Sequence, residues 1–293
     1  MYVILTSKDP LRYFLGQGWT RVALKEFSLE PGEPSVWNAG KEKVNYPFDT
    51  AIHLPVTTPY SLSLADFSKE MEKVVGKEEV DRMWKLFRRK MTALFANWNL
   101  FEPTNRYTRV LREPNYGFHT FDGPCYDVYG LDVMIEHDKQ KNTLNPLILE
   151  VNQGPGLIVS PIGDICWEVA ATSKFETVGT IANLSRTLLN IEEMQHQYFK
   201  NEQNSVSFHN FIECHCNPKN CNEIPDFCDP KNMETTKSII SRIDIEQSTL
   251  HNMDIIVPPL HKIDHDVILE KTWKVKLQLE WMNWKENRFQ CLL

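Results

Sequence analysis

The chain has 293 residues, of which 42% are hydrophobic and 24% are charged, as in an ordinary globular protein. This length allows about two domains, and the composition excludes a disordered or fibrous chain. The net charge of −7 argues against a protein that coats nucleic acid. Because the apolar runs fall far short of about 20 residues and no signal peptide opens the chain, we expect an intracellular protein that binds neither nucleic acid nor membrane.

The first half of the chain predicts a hairpin followed by helices. Residues 2–6 and 11–15 are short apolar runs around a polar turn, which favours two paired strands. Residues 63–101 carry apolar side chains at steps of three and four, which predicts helix, and Gly76 divides a shorter first helix from a longer second one. The longer helix also carries a basic cluster, which we interpret either as a solvated face or as a surface that binds an anion or an acidic peptide. The cluster comprises Arg82, Lys85, Arg88, Arg89 and Lys90.

The second half predicts two strands, a helix and a less regular end. Residues 126–135 and 147–152 are strand candidates, and residues 165–194 have helical spacing. Polar, asparagine-rich residues 200–231 indicate an insert or linker, and the alternation over residues 275–281 indicates a half-buried strand. We therefore predict an α+β fold with residues 1–198 as one unit, and residues 199–293 as a polar, cysteine-containing insert and tail.

Four of the seven cysteines lie within fifteen positions, at Cys214, Cys216, Cys221 and Cys228. Their spacing fits a zinc site only loosely, because zinc ligands usually come in pairs two to four residues apart. A redox or disulfide role and ordinary free thiols are the other interpretations, and the lack of a secretion signal argues against a full disulfide framework.

Three polar residues interrupt the two apolar strand candidates. Glu150 and Asn152 are two positions apart, so their side chains point to one face of a strand. If the neighbouring strand places Asp132 on that face, three oxygen ligands of the kind that Mg²⁺ prefers converge. Burying two carboxylates among Leu and Val without a cation would be unfavourable. The alternative is that the carboxylates pair with Arg or Lys and that Asn152 caps the turn at residues 154–156.

Two stretches of sequence resemble one enzyme family. Leu-Glu-Val-Asn at residues 149–152, with Gly-Leu-Asp-Val-Met at residues 130–134, resembles the metal-binding end of ATP-grasp ligases. More narrowly, it is similar to the tubulin–tyrosine ligase family, including its glutamylating and glycylating members. Residues 2–15 and 18–23 independently resemble the family's strand–turn–strand and its continuation. The likeness covers about residues 1 to 190.

The resemblance implies an ATP-dependent ligase that activates a carboxylate as an acyl phosphate, which the amine of a free amino acid then attacks. The amino acid would be tyrosine, glutamate or glycine, and the acceptor tubulin or microtubules. Asp132, Glu150 and Asn152 match the family's magnesium ligands. Arg21 matches a catalytic and cofactor-binding arginine that contacts the γ-phosphate of ATP or the acceptor. The family also implies a cytoplasmic, cytoskeleton-associated protein.

The sequence begins at what resembles the middle of the family's catalytic domain. We therefore expect the C-terminal portion of an ATP-grasp domain, without the upstream half that grips the nucleotide. An inactive family member that binds tubulin or acts as a scaffold is the alternative to a working ligase.

Overall fold

A computed structural model describes residues 1–21, 61–97, 126–157, 167–217, 224–250, 252–257, 266–268 and 272–287. These residues form seven strands and seven α-helices. The strands are β1 (Tyr2–Lys8), β2 (Leu11–Leu15), β3 (Trp19–Arg21), β4 (Ser61–Ser63), β5 (Asp127–Asp138), β6 (Thr143–Gln153) and β7 (Asp254–Val257). The helices are α1 (Leu64–Val75), α2 (Lys77–Ala96), α3 (Trp167–Leu189), α4 (Ile191–Lys200), α5 (Glu202–Cys216), α6 (Met233–Thr249) and α7 (Trp273–Glu286). Within these ranges, no helix combines the length and apolar character that crossing a bilayer requires.

Five strands form one antiparallel sheet in the order β6-β5-β1-β2-β7, and β3 pairs with β4 in a separate ribbon. The β1–β2 hairpin is confirmed, with Ile4 opposite Phe14. Alternation along the strands sends Val3 and Leu5 to one face of the sheet and Ile4 to the other, and all three side chains are buried. The mixed architecture is consistent with the predicted α+β class.

Helices α1 and α2 form as the apolar spacing predicts. The Ser63 hydroxyl accepts a hydrogen bond from the Asp66 amide and so caps α1. Gly76 has a φ of 88°, a conformation that suits glycine, and it separates the two helices. The buried stripe of α2 includes Phe87 and Met91, which pack on the Val3 face of the sheet.

The opposite face of the sheet is covered by helices from the second half of the chain. Ile4 and Phe14 share a core with Leu184 of α3, Phe211 of α5 and Trp281 of α7. The predicted strand over residues 275–281 is therefore wrong. Leu277, Trp281 and Trp284 also recur at the helical steps of four and three, and all three are buried side chains of α7.

The prediction of a less regular C-terminal third is also wrong where the structure describes it, whereas the predicted insert at residues 200–231 contains helix α5 and stays a prediction. The Asn201 side chain accepts hydrogen bonds from the Gln203 and Asn204 amides, so this asparagine caps α5 instead of marking a loop. The described part of the C-terminal third consists largely of helices α4 to α7. The division of the chain after residue 198 stays a prediction, and the core described above contains residues from both sides of it.

A disulfide connects α5 to the segment that follows it. Cys216 is bonded to Cys228, whose Cα atom lies 5.4 Å away, and Cys214 is disulfide-bonded as well. The free-thiol and zinc interpretations are therefore wrong for these three residues, and the disulfide interpretation is confirmed for them. Cys221 lies outside the described residues.

Candidate metal and nucleotide site

The three predicted ligands lie together on the β5–β6 pair. Asp132 is directly opposite Glu150, and Asn152 is opposite Gly130. Glu150 and Asn152 are two positions apart, so all three side chains leave the same face of the sheet. The convergence that the sequence made conditional on strand register is present.

The local sequence explains why these residues share a face. Leu131 and Val151, one position away in each strand, face α2 and contribute to its core. A β-bulge follows, because Val133 pairs with Ile148 and leaves Leu149 as an additional residue in β6. The apolar residues fix the register, and the polar ones are thereby directed away from α2.

Hydrogen bonds hold the Glu150 carboxylate in place. The Asn152 amide donates to Glu150 Oε1 over 2.8 Å. This hydrogen bond, and after it one with the Asp132 side chain, lowers the pKa of Glu150 below its usual value. Glu150 therefore remains ionised as the pH falls into the acidic range, as a cation ligand must.

The environment of the three residues differs from the expected one. Glu150 and Asn152 are exposed and Asp132 is half-buried. These carboxylates are therefore not buried among Leu and Val and do not need a cation to compensate for burial. In the described part of the chain, Glu150 bonds to Asn152 and Asp132 and to no Lys or Arg. Asn152 bonds to Glu150, which is not the turn-capping role of the alternative interpretation.

The set fits a hard divalent cation. Among the described residues, no group of three or more His, Cys, Asp or Glu side chains is placed to hold a metal ion. The candidate set has two carboxylates, and the Asn152 amide oxygen would be its third donor. Carboxylate and amide oxygens suit Mg²⁺, which keeps water or phosphate oxygens as its remaining ligands.

Gly130 is a residue of this site to which the sequence reasoning assigned no role. A Cβ atom added to it would lie 2.9 Å from the Cβ of Pro155. Only glycine therefore lets the turn after β6 approach β5, next to Asn152. Its position inside a strand is the signal that indicates such a close approach.

Arg21, the predicted catalytic and cofactor-binding residue, is the last residue of β3 and pairs with Ser61 of β4. Its side chain lies outside the described part of the structure. Its role stays a prediction.

The basic cluster of α2 is largely engaged in contacts with the rest of the fold, so it is not a purely solvated face. Arg88 pairs with Asp254 over 2.5 Å, and Arg89 pairs with Asp266 over 2.8 Å. Arg82 bonds to Glu79 and to the Leu144 carbonyl, and Lys90 bonds to Asn145 and the Pro146 carbonyl. Lys85 is exposed and makes no such bond in the described part of the chain.

Comparison with known proteins identifies one family. The sequence model of the Tubulin-tyrosine ligase family matches residues 1–161, which include β1 to β6 and all three candidate ligands. No curated protein and no solved structure matches the chain. Because the match covers more than half of the 293 residues, the chain belongs to the tubulin-tyrosine ligase family.

Proposed function

We propose that the protein is an ATP-dependent carboxylate–amine ligase that adds an amino acid to tubulin. Family membership supports a ligase-type function. The observation that carries the proposal is the juxtaposition of Asp132 and Glu150 on paired strands, with Asn152 hydrogen-bonded to Glu150. These donors lie on a sheet face that leaves Glu150 and Asn152 open to a nucleotide.

Each residue has a distinct part in the proposed site. Asp132, Glu150 and Asn152 would hold Mg²⁺, which neutralises charge on the phosphates of ATP when bound. Asn152 also orients Glu150 through the 2.8 Å hydrogen bond, and Gly130 lets the following turn pack beside it. Arg21 would contact the γ-phosphate or the acceptor, since a guanidinium is always charged and presents a planar fork.

We expect ATP binding to require Mg²⁺, as measured by calorimetric titration with and without the ion. Glu150→Gln keeps the shape of the side chain but removes its charge, and we expect it to weaken Mg²⁺-dependent binding by about 10-fold or more. Glu136→Gln is the matched control, because Glu136 is an exposed carboxylate on the neighbouring strand β5, and its partner is Asn145.

Equal ATP affinity with and without Mg²⁺ would contradict the metal assignment. A complete lack of ATP binding would contradict the ligase proposal for this chain. Binding to microtubules under those conditions would instead support the inactive, tubulin-binding alternative.

We further propose that the acceptor is the acidic tail of tubulin, bound through α2. A chain with a net charge of −7 needs a local positive surface to attract such a tail. Reversing Arg88 or Arg89 would place a glutamate beside Asp254 or Asp266, so those changes perturb the fold as well. Lys85 is exposed and offers a cleaner test.

We expect Lys85→Glu to reduce cosedimentation with microtubules and to leave the melting temperature unchanged, since exposed charges contribute about 0–1 kcal/mol to stability. Lys139→Glu in the turn between β5 and β6 serves as the control, because Lys139 is exposed and makes no ion pair in the described part of the chain. Equal pelleting of the parent and both variants would remove α2 as the tail-binding surface.

A further inference from the structure

Helix α3 exposes an apolar stripe that no other described element covers. Phe175 is 67% exposed, Val178 43% and Leu189 85%. At 100° per residue, these three positions and Ala182 fall within about 60° of one another around the helix. The opposite side of α3, which includes Leu184 and Leu188, is buried in the core.

We propose that this stripe is a self-association surface, on which α3 of a second copy of the chain packs antiparallel about a two-fold axis at Ala182. Phe175 precedes Ala182 by seven residues and Leu189 follows it by seven. A two-fold axis at Ala182 therefore sets Phe175 of each copy against Leu189 of the other. The four most exposed apolar side chains of the two stripes, Phe175 and Leu189 of each copy, then form two equivalent contacts.

Small residues at the centre of the stripe allow the two helices to approach closely. Ala182 would lie on the axis, and Gly179 lies one turn away. A Cβ atom added to Gly179 would meet nothing within 4 Å, so the space next to it is open. Two helices with small central residues can reach the shorter interaxial distances of packed helices, about 8 Å.

Charge supports the same register. In the antiparallel pair, Arg186 of one copy lies four residues from the axis, and Glu176 of the other copy lies six residues from it in the same direction. The two positions therefore differ by two residues, or about 3 Å, along the helices, and they lie on the same flank of the pair. Within one chain these residues are ten positions apart, or about 15 Å, which is too far for contact. Neither residue makes an ion pair in the described part of the structure, and both are exposed.

The predicted dimer is weak. One helix pair buries less surface than the roughly 1,600 Å² of a standard interface, so we expect a dissociation constant in the micromolar range, about 1–100 μM. Analytical ultracentrifugation of the full chain across that range should show a monomer–dimer equilibrium.

A charge-swap cycle tests the register. We expect Arg186→Glu and Glu176→Arg to weaken dimerisation by about 10-fold each, and the double variant to return to within about threefold of the parent. Because the two positions cannot touch within one chain, only pairing between copies explains such a rescue. Leu189→Glu should abolish the dimer, whereas Val206→Glu on α5, also exposed, should not change it.

A chain that stays monomeric over the whole concentration range overturns the proposal. Failure of the double variant to recover the dimer overturns this register. Far-ultraviolet circular dichroism of each variant establishes that the helices are intact, so a loss of dimer is not a loss of fold.

Discussion

Replacing Glu246 by Gln should lower the free energy of unfolding by about 3–5 kcal/mol, the usual effect of removing one partner from a buried ion pair. Glu246 is fully buried, and Arg12, 1% exposed, donates to both of its carboxylate oxygens at 2.8 and 3.1 Å. The Thr6 hydroxyl and Arg242 donate to the same carboxylate. A glutamine has nearly the same shape but leaves the Arg12 charge buried and uncompensated.

Glu234→Gln is the matched control for this prediction. It makes the same substitution in the same helix, but the Glu234 side chain is 88% exposed and its partner Lys237 is a surface residue. Urea denaturation should show a change of less than about 1 kcal/mol for this variant. Equal stability losses in the two variants would show that the network around Glu246 contributes no more than a surface pair.

Removing the Cys216–Cys228 disulfide should lower stability by about 3 kcal/mol, because the bond closes a loop of about a dozen residues and restricts the unfolded chain. The bond ties the end of α5 to the segment that carries Phe227. Phe227 stacks on Phe211 in the core, with ring centroids 5.9 Å apart. The double variant Cys216→Ser, Cys228→Ser should therefore unfold at lower temperature than the oxidised parent.

A reductant provides the control. A dithiol should lower the melting temperature of the parent to that of the double variant or below it, since Cys214 is also disulfide-bonded. It should lower the melting temperature of the double variant by less. If the dithiol leaves the parent unchanged, the C-terminal helices do not depend on these bonds.

The N-terminal part of the fold and the candidate site were accessible to sequence reasoning because their patterns are local. The stripe of α2 repeats over about four turns, and the β1–β2 hairpin is closed by a short turn. The facing of Asp132 and Glu150 depended on strand register. Register follows from which residues of a strand are apolar. The sequence therefore predicted that these side chains face each other if the two strands pair in the observed register.

The C-terminal part was predicted poorly because its signals are ambiguous or non-local. Val275, Leu277, Leu279 and Trp281 alternate like a strand, yet Gln278 between them is 1% exposed. Burial on several sides removes the periodicity that distinguishes a helix. Cysteine pairing depends on which residues meet in space, and the spacing of Cys216 and Cys228 along the chain does not reveal it.

The strand order also affects how the protein is made on the ribosome. Tyr13 of β2 pairs with Val257 of β7, so one neighbour of this strand is synthesised 244 residues after it. At about 5–20 residues per second, roughly 12–50 s pass between the two. During that interval β2 is an open strand edge that carries Phe14 and Tyr13, which are buried in the finished fold. Such an edge is a template for pairing with other chains, so the nascent protein is more prone to aggregation than the completed one.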